Sequence, residues 1–220
     1  MQAVRFHDHG DLDVLRLEEI PDPSPNPGEV LVEVRTCALN HLDLWQRRGI
    51  PGVRLPHVVG SDIAGVVRQA EAPGVAEGQR VLLQPGISCG RCVACLAGDD
   101  NQCRSYGLVG YQSEGGYAEL VTVPVENVVP IPDHVGFVEA AAFPMTFLSA
   151  WHMLVTRARL GPGETVLAAL ECTSFDNFPR RMERCDGNCQ LVLVHSAVTG
   201  LRRLLFVHDA VMRSLEYSEL

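Results

Sequence analysis

Cys89, Cys92, Cys95 and Cys103 stand in the spacing C-x2-C-x2-C-x7-C within the segment SCGRCVACLAGDDNQCRS, and no other feature of the chain restricts its local fold so tightly. Zinc binds four thiolates as a tetrahedron. Cysteines two residues apart can reach one ion when a glycine, here Gly90, lets the loop turn between them. A cubane iron–sulfur site also begins C-x2-C-x2-C, but its fourth cysteine usually follows after about three residues and precedes a proline. Here Arg104 follows Cys103 after the longer gap. Four unligated thiols are the plain alternative, and clustered exposed thiols without a metal invite oxidation. With four cysteine ligands an ion has no open position, so the expectation is one structural zinc.

The remaining composition narrows the function. The chain has 220 residues, room for one large domain or two small ones. Its formal charge of -9 argues against nucleic acid as a partner, because a phosphate-binding face is usually basic. All 18 positive side chains are arginine, which excludes lysine Schiff-base chemistry. The segment MQAVRFHDHGDLDVLRLEE is interrupted by charge and lacks the apolar core of a secretory signal. No window approaches the roughly 18 consecutive apolar residues of a membrane span. The expectation is a cytoplasmic protein with no membrane partner, in which eight cysteines serve metal binding or remain thiols.

Along the chain, the proline-rich PDPSPNPGEV leads into EVLVEVRT, where Val30, Val32 and Val34 alternate as in a strand. LNHLDLWQRRG predicts a short helix, with Arg47 and Arg48 in its last turn and Gly49 as its stop. HVVGSDIAGVVRQ reads as a bulged strand and EGQRVLLQPG as a turn and strand; GGYAELVTVPVENVVPIP reads as two strands parted at Pro124. Many short strands with glycine and proline turns point to a β-rich, barrel-like domain. From Val138 the pattern turns helical: VEAAAFP, then TFLSAWHMLVTRARL with Phe147, Leu148, Trp151, Leu154, Val155 and Ala158 on one face. TVLAAL then reads as an apolar strand from Thr165.

Over residues 1 to 168 the chain resembles the zinc-type alcohol dehydrogenase and quinone reductase family of medium-chain dehydrogenases. The resemblance rests on ALNHLDLWQRRG, LPHVVGSDIAGVV, the cysteine segment, GGYAELVTVP and AAAFPMTFLSAWHMLV, in that order. It implies a mainly β fold with α: a GroES-like barrel catalytic domain over 1–135, with the zinc lobe at 86–106. Connecting helices and a first strand follow over 136–168, the start of an α/β Rossmann-type unit that is truncated or aberrant, and then a divergent tail over 169–220. The family also implies NAD(P) as cofactor, a cleft between the two domains as active site, and a structural zinc on the cysteine lobe.

Members with a catalytic zinc supply a cysteine before the histidine of the first helix motif, a histidine in G-H-E, and a later cysteine. This chain has Asn40, Ser61 and Ala142 near those places, which is no ordinary ligand set. Cys37 comes three residues too early to replace Asn40 and reads as a small buried residue. The resemblance therefore implies the zinc-independent branch: hydride passes between the nicotinamide and a carbonyl, enone or quinone, and polar side chains position that substrate. The catalytic candidates are Asn40, His41 and Asp62, with Asp43 beside them; Thr146 matches a position near the nicotinamide. Each has a plain alternative: His41 on a backbone carbonyl, Asp43 as a cap or paired with Arg47, Asp62 on loop amides. His7, His9, His57, His134, His152, His195 and His208 show no ligand spacing.

The family continues from its GETVLV strand into a glycine-rich turn that lets the backbone approach the pyrophosphate. Here no glycine occurs between Gly163 and Gly187. Two readings of the tail follow. In one it is a truncation or frameshift, leaving a reductase that binds NADPH poorly, is catalytically incomplete and lacks the usual dimer surface, so that any homo-oligomer must form differently. In the other it is a genuine variant, with QLVLVHSAV as a strand and LRRLLFVHDAVMRSLEYSEL as an amphipathic helix. Cys172, Cys185 and Cys189 are too irregularly spaced for a second metal site. The rival function is a non-enzymatic, zinc-stabilised interaction module.

Overall fold

Valines at alternate positions build the main sheet. In a computed structural model, residues 1–161 are described with their side chains, and beyond them the backbone of segments 165–170, 189–195, 202–208 and 214–217. The chain opens with β1 (Gln2–Arg5) and β2 (Arg16–Glu19), an antiparallel pair. β3 (Glu29–Ala38) leads into α1 (His41–Arg48), then β4 (Asp62–Ala70) and β5 (Arg80–Leu83). β6 (Gly86–Ile87), α2 (Val93–Leu96) and β7 (Gly107–Leu108) frame the cysteine lobe. β8 (Leu120–Pro124) and β9 (Val128–Pro130) follow, joined by a 3-10 turn over Val125–Asn127.

The five-stranded sheet runs in the order β8-β3-β4-β5-β9, with every pairing antiparallel. Side chains two apart share a face of a strand, and this places Val30 and Val32, Val81 and Leu83, and Val121 and Val123 in one core with Ile63, Val67 and Val109. Two bulges interrupt the pairing of β3 with β4. Val32 pairs with Val67 while Leu31 pairs with Gln69, and Val34 pairs with Gly65 while Thr36 pairs with Ala64. The skipped residues are Arg35 and Arg68, and both reach Glu33, at 2.7 and 3.1 Å. A bulge adds local twist, which bends the sheet toward the barrel form expected of it.

The strand expected from His57 begins only at Asp62. Upstream, Val58, Val59 and Gly60 supply carbonyls to the amides of Gly115, Tyr117 and Gly116. α3 (Phe137–Ala141) packs Ala140 and Ala141 with Ala64 and Ile131. The first compact unit runs through Thr146 and the second from Phe147. α4 (Pro144–Trp151) begins the helix expected there, and a π-helical turn over His152–Arg157 closes it, with the Ala158 amide on the Met153 carbonyl. The wider turn breaks the single apolar face expected of that segment.

In the second unit, β10 (Thr165–Leu170), β11 (Cys189–His195), β12 (Arg202–His208) and β13 (Ser214–Tyr217) form an antiparallel meander. β10 and β11 fall where strands were expected. The amphipathic helix expected over the last segment is instead β12 and β13, and the pairing departs from the parallel strands of a Rossmann unit. No helix among the described residues is long and apolar enough to cross a membrane.

Candidate functional site

The cysteine lobe is built from turns. Gly90 and Gly98 have φ of +66° and +85°, a region that costs residues with a Cβ, and they reverse the chain on either side of α2. The thiol sulfurs of Cys89, Cys92, Cys95 and Cys103 all lie within 4.8 Å of one another. Two of the separations are 3.4 Å (Cys92 to Cys95) and 3.9 Å (Cys89 to Cys95). A tetrahedron with zinc–sulfur bonds of about 2.3 Å has edges of about 3.8 Å, so the residues fit that ion. The Cys89 amide donates to the Cys103 sulfur at 3.4 Å, and the Ser105 hydroxyl lies 3.3 Å from the same atom. The Ser105 hydroxyl and the Cys89 amide draw the Cys103 thiol down to about 6, and amides of Arg91 and Cys92 lower that of Cys89. Thiolate is the form that binds metal. Among the described residues no other group of histidines, cysteines and carboxylates has ligand geometry.

The second site lies where α1 leaves β3. Asn40 has extended backbone angles and is the N-cap of α1: its Oδ1 accepts the Leu42 amide at 3.1 Å. Asp43 completes the capping box by accepting the Asn40 amide on Oδ2 at 2.9 Å. Gly49, at φ +109°, closes the helix as expected. Arg47, however, does not pair with Asp43. It donates to the Gly10 carbonyl at 2.7 Å and to Asp11 at 3.2 Å, because its guanidinium is turned under the amino-terminal loop.

The Nδ2 of Asn40 donates to Oδ2 of Asp62 at 3.0 Å, and Oδ1 of Asp62 accepts the Met145 amide at 2.7 Å in the first turn of α4. Asp62 is 3% exposed. Burial raises its carboxyl above the usual range, against the pull of these two donors. Asp43 is buried too. It accepts the Tyr117 hydroxyl at 3.0 Å, and burial raises it likewise. Burial, with Asp43 and Asp62 nearby, pushes the Cys37 thiol strongly up and keeps it neutral. A Cβ on Gly60, whose φ is +107°, would lie 2.7 Å from both the Cys37 sulfur and the Tyr117 ring, so glycine there lets these groups meet.

The structure thus joins Asn40 to Asp62, and adds two partners that sequence reasoning missed, Tyr117 and Met145. Tyr117 sits in the GGYAE motif, a signal that was present but carried no role. His41 is exposed, and its ring centroid lies 5.4 Å from that of Trp45. Thr146 is exposed in the first turn of α4, one residue beyond Met145. At the places of a catalytic-zinc set the chain offers the Asn40 carboxamide, the buried Ser61 hydroxyl and the exposed Ala142 methyl. These donors do not fit zinc.

Comparisons with known proteins follow the same outline. Residues 26–133 match the model of the alcohol dehydrogenase GroES-like domain. An alcohol dehydrogenase of Geobacillus stearothermophilus is 36% identical over 160 residues, covering 69% of this chain and 46% of that protein. Among solved structures, an NAD-dependent alcohol dehydrogenase superposes with a TM-score of 0.72 at 45% identity, over 74% of this chain and 49% of the other. A cobalt- and zinc-bound thermostable alcohol dehydrogenase from Pyrobaculum aerophilum gives 0.68 at 38% identity, over 74% and 50%. The chain spans about half the length of these relatives.

Proposed function

The chain belongs, through its amino-terminal part, to the zinc-type alcohol dehydrogenase family of medium-chain dehydrogenases, and from that membership we propose an NAD(P)-dependent oxidoreductase site that works without a catalytic zinc. Its substrate class is a carbonyl, enone or quinone. NAD(P), when bound, supplies or accepts the hydride. Asn40 and His41 meet the substrate, Asp62 stands behind Asn40, and Thr146 lies toward the nicotinamide. Cys89, Cys92, Cys95 and Cys103 hold one structural zinc, whose four thiolates leave no position for a substrate.

One observation carries this reading: where a zinc ligand would stand, Asn40 is fixed by Asp62 at 3.0 Å. A carboxamide held in place can donate a hydrogen bond to a substrate oxygen, and a positioned donor stabilises charge as it develops there. Two buried carboxyls beside it, Asp43 and Asp62, disfavour an anionic substrate. The test is a titration with an uncharged enone, followed by amide resonances. Shifts at Asn40 and His41 support the site, and their absence overturns it.

The cofactor side is weaker in this chain. With no glycine between Gly163 and Gly187 to form a phosphate turn, NADPH binds poorly and turnover is low or absent. That same absence favours the second reading, a zinc-stabilised interaction module. The enone titration separates the two, since a pure interaction module has no reason to place an enone at Asn40.

A further inference from the structure

Asp62, a candidate for catalysis in its own right, accepts a hydrogen bond on each of its two oxygens. Oδ2 accepts from the Asn40 side chain at 3.0 Å and Oδ1 accepts from the Met145 backbone at 2.7 Å. Both partners are donors, so the site is shaped for a carboxylate that receives hydrogen bonds. The Asn40 amide is constrained in turn. Its Oδ1 is taken by the Leu42 amide and one Nδ2 hydrogen by Asp62, and the second Nδ2 hydrogen meets no acceptor among the described residues. Asn40 is half-buried, whereas Asp62 is 3% exposed.

We propose that Asp62 is a positioning residue: it acts through Asn40, aiming the free amide hydrogen of that side chain at the substrate oxygen, and ties the first turn of α4 to the cap of α1 with its other oxygen. The inference rests on the reading of Asn40 as a substrate contact. No proton leaves or enters Asp62 in the reaction. The order of the amide is set by the carboxylate, because the reversed orientation would place Oδ1 of Asn40 against Oδ2 of Asp62, two acceptors facing each other, and leave the Leu42 amide without its cap.

The titratable groups facing Asp62 are Asp43 on α1, Cys37 on β3 and Tyr117 before β8. Of these only Asp43 shares the acidic range, and it contacts the Asn40 backbone amide, whereas Asp62 contacts the side-chain amide. The two carboxyls can therefore be told apart by which Asn40 resonance each one moves.

The experiment is nitrogen-resolved NMR of the whole wild-type chain through an acid-to-neutral titration, without substrate. The Asn40 side-chain amide and the Met145 backbone amide are expected to shift along one common curve, that of Asp62. An Asn40 side-chain amide that does not follow the Met145 curve overturns the proposal, and this result needs no variant. In Asp62→Asn, the oxygen of the replacement carboxamide keeps the Met145 amide protected, while the Asn40 side chain loses its protection from exchange and its response to the enone; His41 keeps its response. Retention of the Asn40 enone response in that variant also overturns it. Failure of the enone to move either residue in the wild type instead defeats the functional reading, and the substrate-free titration still decides the role of Asp62.

Discussion

The Asn40 side chain donates to Asp62 across 3.0 Å and so joins the cap of helix α1 to the first residue of strand β4. The pair is local in space but distant in sequence, and each member does something more, since Asn40 caps a helix and Asp62 holds the Met145 amide. Asn40→Ala removes the cap, typically about 1 kcal/mol, and leaves a buried carboxylate oxygen without its donor, a further ~1–3 kcal/mol. The expected loss of stability is about 2–4 kcal/mol. It is read from the shift in urea midpoint at unchanged slope, and a loss below ~0.5 kcal/mol would show that the pair contributes little.

Burial raises both Asp43 and Asp62 above 3.8, so each binds its proton more tightly folded than unfolded. That sign fixes the pH dependence. The contribution of such a group is fully present below its unfolded value and is lost as pH rises through its folded value. Relative to Asp62→Asn, the wild type should therefore lose stability as pH climbs from below 3.8 through the raised folded value, by no more than about 1.4 kcal/mol per pH unit for one proton, and then level off. Paired denaturant titrations across that window measure it. A difference that instead grows in favour of the wild type with rising pH contradicts the burial argument.

Gly60 is a close packing point of the second site. Alanine there would take φ +107° and push its Cβ to 2.7 Å from the Cys37 sulfur and the Tyr117 ring. Backbone strain and overpacking together predict a loss of about 2–6 kcal/mol for Gly60→Ala. Thermal unfolding should show it, together with loss of the Tyr117–Asp43 hydrogen bond in the hydroxyl resonance. An unchanged midpoint would mean that the loop can move aside freely.

NADPH fluorescence provides an independent check on the second unit. A chain without a glycine-rich phosphate turn should show no saturable binding in the micromolar range. Micromolar binding would mean that residues beyond β10 form a cofactor site by other means.

Local chemistry was legible in the sequence wherever a single stretch contained it. The alternating valines of β3, the stop of α1 at Gly49 and the turn at Gly90 beside the four clustered cysteines all appear where residue type and spacing placed them. Relations across the chain were not legible. Asp62 finds its partner at Met145, 83 residues on, and Tyr117 reaches Asp43 over 74, because sheet register and glycine packing bring them together. Arg47 showed the same limit: helical spacing suggested Asp43 as its partner, and tertiary packing turned it to Gly10. Near the end, the run Leu204, Leu205, Phe206, Val207 is apolar on every side and so has no periodicity to separate helix from strand; it became β12.

One structural ion at the cysteine lobe, and none at Asn40, is the expectation on which the rest depends. Metal analysis of the purified chain, with zinc-edge X-ray absorption, tests this most directly. It should give one zinc per chain with four sulfur neighbours at about 2.3 Å, falling toward none in Cys92→Ser. Two zinc ions per chain, or nitrogen and oxygen in the coordination shell, would contradict it.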